Sequence, residues 1–175
     1  MAATRRAQIL LLTALALLLA GTWLALSPAT GSPAPDRDGT LIELHGTESK
    51  AVLPLKGNRL PGVPADFRAF VKGQLHAMWD DLGQTQACKK SPLITVYAVR
   101  TDGFAMGAVN TRPRRDCATG GGYIAIWAVR HGAWKEVIGT QEVVDCARLE
   151  RFDIPSEIGV DECYQGDQVV PYDHP

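Results

Sequence analysis

Cysteine is the residue type in this chain with the most definite chemistry. Its four copies are Cys88, Cys117, Cys146 and Cys163. No two of them are two to four residues apart and no histidine lies at ligand spacing, which disfavours a zinc site; a Cys-x-x-Cys redox motif is also absent. Four thiols allow three pairings, of which we favour Cys88–Cys117 with Cys146–Cys163. The cysteines therefore predict two structural disulfides, which form in an oxidising compartment.

Acid–base chemistry would fall to histidines or to paired carboxylates. The histidines are His45, His76, His131 and His174. They lie at a predicted strand end, a polar helix face, a turn and the chain end, where side chains are normally solvated. Asp80 and Asp81 are adjacent on a predicted helix, on which neighbouring side chains diverge by about 100°. We therefore predict no catalytic residue, no bound metal and no cofactor.

Positive charge is concentrated in one predicted loop. Its arginines are Arg112, Arg114 and Arg115. Two interpretations stay open: a solvated loop, or a surface that contacts a lipid headgroup, a wall polymer or an acidic partner. The glycines at 120–122 follow, but they lead into a predicted strand, whereas glycine-rich anion loops lead into a helix.

Three aromatic side chains lie in the predicted hairpin: Tyr123, Trp127 and Trp134. Trp127 shares a strand face with Tyr123, because the two positions are an even number apart. Core packing against a helix is one interpretation of these aromatics. The other is the lining of a cavity between a helix and a sheet.

One long predicted helix packs against the strand face that carries these aromatic residues. Its apolar stripe recurs at a spacing of three to four residues and consists of Phe67, Phe70, Val71, Leu75, Met78 and Leu82. Pro64 suits the first turn of a helix, and Gly83 ends it. This spacing predicts a helix whose stripe packs on an apolar surface.

The strands that follow are rich in β-branched residues. They are predicted at 93–100, 103–110, 123–130 and 133–139, with a tight turn at His131-Gly132. Shorter elements are a strand at 41–45, a helix at 144–151, a turn at 155–159 and a strand at 169–170. The pattern predicts the α+β class: one long helix packed on an antiparallel sheet of three to five strands.

A transmembrane-type helix precedes this domain. Residues 9–26 carry no charge, and Arg5 and Arg6 stand before them, which places the N-terminus in the cytoplasm. Residues 1–26 are either an uncleaved signal anchor, giving a single-pass membrane protein, or a signal peptide cleaved near Ala29 or Gly31 to release a secreted protein. Residues 27–40 form a linker rich in proline and serine, and residues 41–175 form the extracytoplasmic domain.

The charge of the chain limits its partners. It has 18 basic and 19 acidic side chains and a net charge of -1, which argues against a nucleic-acid binder, since such a protein needs a basic face. The expected partners are the membrane, through residues 9–26 if they are uncleaved, and an envelope protein or a small apolar ligand.

Two resemblances follow from these elements. Residues of the cysteine-rich region resemble a pattern in small uncharacterised exported or membrane-anchored proteins of actinobacteria: Cys117, Gly121-Gly122-Tyr123, Ile126-Trp127, Trp134, Gly139-Thr140-Gln141, Cys146, Ile154-Pro155-Ser156 and Cys163-Tyr164. This likeness covers about residues 63–172, supports export and disulfides, and implies no catalytic residue. The order of a helix and then a meander is similar to the cystatin-like and NTF2-like folds, in which a curved sheet wraps a helix. In NTF2-like folds a pocket lined by aromatic side chains opens between helix and sheet, so this resemblance implies Tyr97, Trp127 and Trp134 as pocket-lining residues.

Two functions are compatible with the sequence. The favoured one is an extracytoplasmic binding or interaction domain, because export, spacer and disulfides are present without a catalytic set. The alternative is a small secreted enzyme with an NTF2-like pocket, which requires a cavity where two or more ionisable groups with shifted pKa values converge.

Overall fold

The computed structural model describes residues 39–55, 59–81, 90–113 and 121–175. The helices and strands in these ranges are β1 (Leu41–Glu43), β2 (Lys50–Ala51), α1 (Ala65–Asp81), β3 (Lys90–Arg100), β4 (Phe104–Pro113), β5 (Tyr123–Arg130), β6 (Ala133–Thr140), α2 (Cys146–Arg151), a 3-10 turn (Ser156–Ile158), β7 (Glu162–Gln165) and β8 (Gln168–Pro171). The fold is α+β with an antiparallel sheet and one long helix, as predicted from the sequence. The main sheet has six strands rather than the three to five predicted, because the short strand β2 also pairs with β3.

The main sheet runs in the order β1-β3-β4-β5-β6, and β2 also pairs with β3. All of these pairs are antiparallel, and β3 to β6 form a meander. Gly103 turns the chain between β3 and β4 with φ at +104°, and a Cβ at this position would lie 2.9 Å from the Val129 side chain. Glycine therefore satisfies both the backbone conformation and the close approach.

Helix α1 covers one face of this sheet. Phe67, Val71 and Leu75 are completely buried, and Phe70 and Met78 are partly buried beside them, so the predicted stripe faces the sheet. Burial of one such side chain stabilises the folded state by about 1.5–3 kcal/mol relative to leaving it exposed to water. The predicted stripe member Leu82 and the predicted stop Gly83 lie outside the described residues.

The opposite face of the sheet carries a second layer, whose helix and turn were predicted from the sequence but whose packing on the sheet was not. It consists of α2, the 3-10 turn and the β7–β8 hairpin, and its buried side chains include Leu149, Ile154 and Ile158. These pack with Ile126 and Ile138 from the sheet. The last strand predicted at 169–170 is one half of this hairpin. A single helix therefore does not cover the sheet alone, because both faces of β5 are apolar and both require burial.

A buried ion pair joins this second layer to the sheet. Arg100, at the end of β3, is only 4% exposed. Its guanidinium donates from Nε and Nη2 to the two carboxylate oxygens of Asp102, at 3.1 and 2.8 Å. Its Nη1 donates to Glu157 Oε2 in the 3-10 turn at 3.0 Å. Two parallel bonds to one carboxylate fix both groups in a single orientation.

The predicted disulfide Cys146–Cys163 is confirmed, and it joins the first residue of α2 to β7. Cys88 and Cys117 lie outside the described residues, so their pairing stays a prediction. The predicted transmembrane-type helix and most of the linker also lie outside them. Within the described ranges, no helix is long and apolar enough to span a membrane.

Removing the Cys146–Cys163 bond is expected to lower the free energy of unfolding by about 3 kcal/mol. The two cysteines are 17 residues apart, and a closed loop of this size restricts the unfolded chain by roughly that amount. Urea unfolding of the full chain with both cysteines replaced by alanine, without reductant, measures the loss. Equal unfolding midpoints and slopes for variant and wild type would contradict the prediction.

Candidate functional site

The three candidate aromatics do not line a common pocket in the structure. Trp127 is completely buried, and its ring centroid lies 5.8 Å from that of Phe67. The Trp134 ring is 4.5 Å from the same phenylalanine, and its Nε1 donates to Asp66 at the start of α1. Tyr97 lies apart from this cluster, at the bulge of β3, where it is 40% exposed.

The rings of Phe67 and Trp127 fill the space between α1 and the sheet. The Trp127 ring also packs against β4 at Gly107, where a Cβ would lie 2.9 Å from the ring atom Cζ3 and 2.1 Å from the Thr95 carbonyl oxygen. Only glycine allows this approach. The region in which a helix–sheet pocket would open is therefore occupied by the protein's own side chains.

An open depression lies instead on the outer side of α1, where the helix faces the segment before it. We call it the α1 groove, and it is lined by Leu53, Pro54, Leu55, Lys72, His76 and Trp79. Its volume is about 500 Å³, within the range of small-molecule sites. An adjoining depression of about 440 Å³ shares Leu55 and Lys72 and ends at Arg68.

Helical geometry explains why these side chains meet. Because α1 turns its 67-71-75 stripe towards the sheet, the neighbouring row of residues faces away from it. Arg68, Lys72, His76 and Trp79 follow one another at intervals of four, four and three residues. Trp79 is 42% exposed, the second most exposed of the large apolar side chains in the described ranges. This row of basic residues ending in a tryptophan is readable in the sequence, and the sequence analysis missed it.

A polar pair forms the second candidate site, on β5 and β6. The Tyr123 hydroxyl donates to Glu136 Oε2 at 3.0 Å. Gly139 leaves room for the pair, because a Cβ there would be 2.8 Å from Glu136 Oε1 and 3.1 Å from the Tyr123 ring. A shallow depression of about 480 Å³ includes these three residues and Gln141, whose amide donates to the Gly122 carbonyl.

The surroundings of this pair raise the pKa values of both side chains. Burial of the phenol raises the pKa of Tyr123 to about 12, and the charge of Glu136 and the bond to it act in the same direction. Loss of hydration raises the pKa of Glu136, although the bond from Tyr123 opposes this. Trp127 pairs directly with Glu136 across the two strands, and the approach of its indole N–H also lowers the pKa of Glu136. This approach does not have the geometry of a normal hydrogen bond, so Nε1 is the one buried side-chain polar atom in the described ranges without a well-formed one.

Replacing Glu136 by glutamine is expected to lower the pKa of Tyr123 by part of its shift. The substitution removes the carboxylate charge and the acceptor that favours the neutral phenol, whereas burial remains. Nuclear magnetic resonance titration of carbon-13-labelled tyrosine measures the change. Tyr172, whose pKa burial also raises to about 12, is the internal control and is expected not to move; an unchanged Tyr123 would contradict the prediction.

The Tyr123 shift also predicts how stability depends on pH. The folded state holds the phenol proton up to about pH 12, whereas the unfolded chain releases it near the ordinary pKa of 10.0. This contribution to stability is therefore complete below pH 10 and is lost as pH rises towards 12. Tyr123→Phe is expected to reduce the fall in unfolding free energy over this interval, as measured by urea unfolding at several pH values.

Ser156, His174 and Asp153 are the residue types of a hydrolase triad, but their bonding excludes that chemistry. The Ser156 hydroxyl donates to the backbone carbonyl of His174 at 3.1 Å rather than to its ring. The His174 ring pairs through Nε2 with Asp153 at 2.8 Å. These bonds attach the chain end to the 3-10 turn, so His174 is held in place, whereas the sequence predicted a solvated side chain.

Two further predicted features are the arginine loop and the histidine turn. Arg112 lies in β4, but its side chain and residues 114–120, which include Arg114 and Arg115, are outside the described part. His131 forms the β5–β6 turn with φ at +56°. Within the ranges that the structure covers, no three histidine, cysteine, aspartate or glutamate side chains group as a metal site.

No protein-family model, no curated protein and no solved structure matches this chain.

Proposed function

We propose that this domain is an extracytoplasmic binding module for an apolar ligand, and that the α1 groove is its binding site. The observation that carries the proposal is the exposed Trp79 beside Leu53 and Leu55 in one open depression. Binding sites combine apolar walls with a few polar groups, and the groove has this composition. An envelope protein that inserts an apolar side chain is the alternative occupant.

The extracytoplasmic location is part of the proposal. It is supported by the Cys146–Cys163 disulfide, since such bonds persist in oxidising compartments, and by the uncharged run at 9–26 behind Arg5 and Arg6. We propose that this run anchors the chain as a single membrane pass, with secretion after cleavage near Ala29 or Gly31 as the alternative.

We also propose that the domain is a roll of the cystatin-like or NTF2-like kind. The helix packed on an antiparallel meander supports this assignment. In such rolls a pocket opens between helix and sheet, but here Phe67 and Trp127 occupy that space. The binding surface would then have moved to the outer side of the helix.

Photoaffinity labelling tests the proposed function. The full chain, in phosphatidylcholine nanodiscs, is irradiated with a palmitic-acid analogue that carries a diazirine, and labelled peptides are sequenced. Label is expected on residues 53–55 and on α1, and an excess of palmitate should suppress it. Label confined to residues 9–26, or distributed evenly over the domain, would refute the proposal.

A matched pair of variants sharpens this experiment. Trp79→Glu places a charge in the groove and is expected to abolish labelling there. Val169→Glu makes the same change at an exposed apolar residue of the β7–β8 hairpin and should leave labelling unchanged. Equal labelling of both variants would show that the groove does not bind the probe.

The second candidate, a small secreted enzyme, is favoured by one observation. Tyr123 and Glu136 both have raised pKa values and meet at one depression, which is typical of acid–base sites. Their mutual bond supplies a proton acceptor for a tyrosine nucleophile. Hydrolysis of simple aryl esters and glycosides by the wild type, and its loss in Glu136→Gln, would support this function; equal rates for both would exclude the pair.

A further inference from the structure

We infer that the α1 groove takes an amphiphile with one apolar chain and an anionic head, whose charge pairs with Lys72. This inference rests on the proposed function and adds the chemical class of the ligand. It starts from the position of Lys72, which lines both the α1 groove and the depression beside it. Lys72 therefore borders both depressions.

Lys72 is available for such a pairing. Its side chain is exposed, and among the described residues no hydrogen bond or ion pair engages its ammonium group. A lysine that lies along apolar surface normally keeps its charged end in water. An anionic head at the mouth of the groove gives that charge a partner while the chain of the ligand lies on Leu53 and Leu55.

The charges around the groove have a single sign. Arg68 and Lys72 lie on one row of α1, and the described residues that line the two depressions include no acid. This differs from the whole chain, in which acids slightly outnumber bases. At the start of the helix, the Asp66 carboxylate is already bonded to the Phe67 amide and to Trp134 Nε1. The groove is therefore complementary to a negative ligand.

The number of basic groups distinguishes a single amphiphile from a membrane surface. Recognition of an anionic bilayer uses clusters of about four to eight lysines and arginines, whereas the α1 groove has one lysine, Lys72, and the adjoining depression adds one arginine, Arg68. The Arg68 guanidinium donates to the Leu60 carbonyl, so this basic group of the adjoining depression is already held by the protein. A long-chain carboxylate, with one chain and one charge, fits this arrangement.

Competition against the diazirine probe tests the inference. The full chain in phosphatidylcholine nanodiscs receives palmitate, hexadecanol or hexadecyltrimethylammonium at equal bilayer fractions. Palmitate is expected to displace the probe about three- to tenfold more strongly than the alcohol, because a partly exposed ion pair contributes modestly, and the cation should be the weakest competitor. Equal displacement by the acid and the alcohol would overturn the anionic head and leave the proposed function standing.

Lysine variants identify the group responsible. Lys72→Gln is expected to weaken displacement by palmitate about three- to tenfold without changing that by hexadecanol. Lys135→Gln, an exposed lysine of β6, is the matched control and should have no effect. Displacement by phosphatidylglycerol vesicles that exceeds displacement by palmitate would overturn the single-chain ligand in favour of a lipid surface. A probe that no competitor displaces would refute the binding function itself.

Discussion

Replacing Trp127 by alanine is expected to lower the free energy of unfolding by about 3–5 kcal/mol, the range for deleting a large buried aromatic. The side chain is completely inaccessible to solvent and contacts α1 through Phe67 and β4 at Gly107. Neither contact can be replaced by small movements, since one neighbour is a packed ring and the other is backbone. Chemical denaturation followed by far-ultraviolet circular dichroism measures the loss.

A second substitution separates the ring of Trp127 from its N–H group. Trp127→Phe keeps an aromatic ring beside Phe67 and removes the Nε1 group that lacks a well-formed hydrogen bond. Because a buried, unpaired donor destabilises the folded state, its removal offsets part of the lost volume. The expected loss for phenylalanine is therefore less than half of that for alanine. Equal losses for both variants would show that Nε1 is bonded in solution.

Trp79→Ala is the matched control for these two variants. Trp79 is 42% exposed on the outer side of α1, so its removal is expected to change stability by less than about 1 kcal/mol. A tryptophan in the core and a tryptophan in the groove should then differ by several-fold in their effect. A large loss for Trp79→Ala would mean that the groove is closed in solution and that the proposed binding site is absent.

Periodicity accounts for the part of the fold that the sequence predicted. The 67-71-75 stripe recurs at the helical interval, and the strands at 93–100 and 123–130 are long and rich in β-branched residues. Each is long enough for its pattern to repeat. The turn at His131-Gly132 is also local chemistry, since both residues have positive φ values.

The helix at 144–151, the turn at 155–159 and the strand at 169–170 were predicted, and the structure confirms them. That they pack together as a second layer on the sheet was not predicted, because none of them is long enough for a repeating pattern. The helix of this layer, Cys146–Arg151, has six residues, and the buried positions Leu149, Ile154 and Ile158 are separated by turns. The sequence of β5 did indicate a second layer, because Tyr123–Arg130 is apolar at odd and at even positions. A strand that is apolar on both sides requires a cover on both faces, so one helix could not be sufficient.

Only the helix side of the α1 groove could be predicted from the sequence. Lys72, His76 and Trp79 share a helix face by spacing alone, so this side was accessible to sequence analysis. The opposite wall, Leu53 to Leu55, belongs to a proline-containing segment between β2 and α1 with no periodic pattern. No local rule places such a segment against a particular helix face. Tyr97, Trp127 and Trp134, the residues predicted to line a pocket, do lie on strands. Their burial, however, depends on which other elements pack over the sheet.

Replacing Arg100 by methionine is expected to lower the free energy of unfolding by about 3–5 kcal/mol, the range for breaking a buried ion pair by removing one partner. The side chain of Asp102 is only 4% exposed, so it would be left as a buried charge without its guanidinium. Glu157, the other partner, is 58% exposed and can return to water. The loss therefore arises mainly from Asp102.

Because the loss arises from the buried charge of Asp102, a second substitution at that position is expected to restore stability. In the double variant Arg100→Met with Asp102→Leu, no charge remains buried at the end of β3, and most of the lost stability is expected to return. Glu157→Gln is the control on the exposed side and should change stability by less than about 1 kcal/mol. A double variant as unstable as Arg100→Met alone would show that the ion pair contributes through specific geometry rather than through charge compensation.

The same variants show what the ion pair does for the fold. Arg100 lies on the main sheet, and Glu157 lies in the 3-10 turn of the second layer, so their bond is a polar link between the layers. In Arg100→Met, hydrogen exchange of the amides of Ile158 and Val160 is expected to accelerate more than that of Val71 in α1, because local opening of the second layer becomes easier. Uniform acceleration throughout the domain would instead mean that the two layers unfold as one cooperative unit and that the ion pair stabilises both equally.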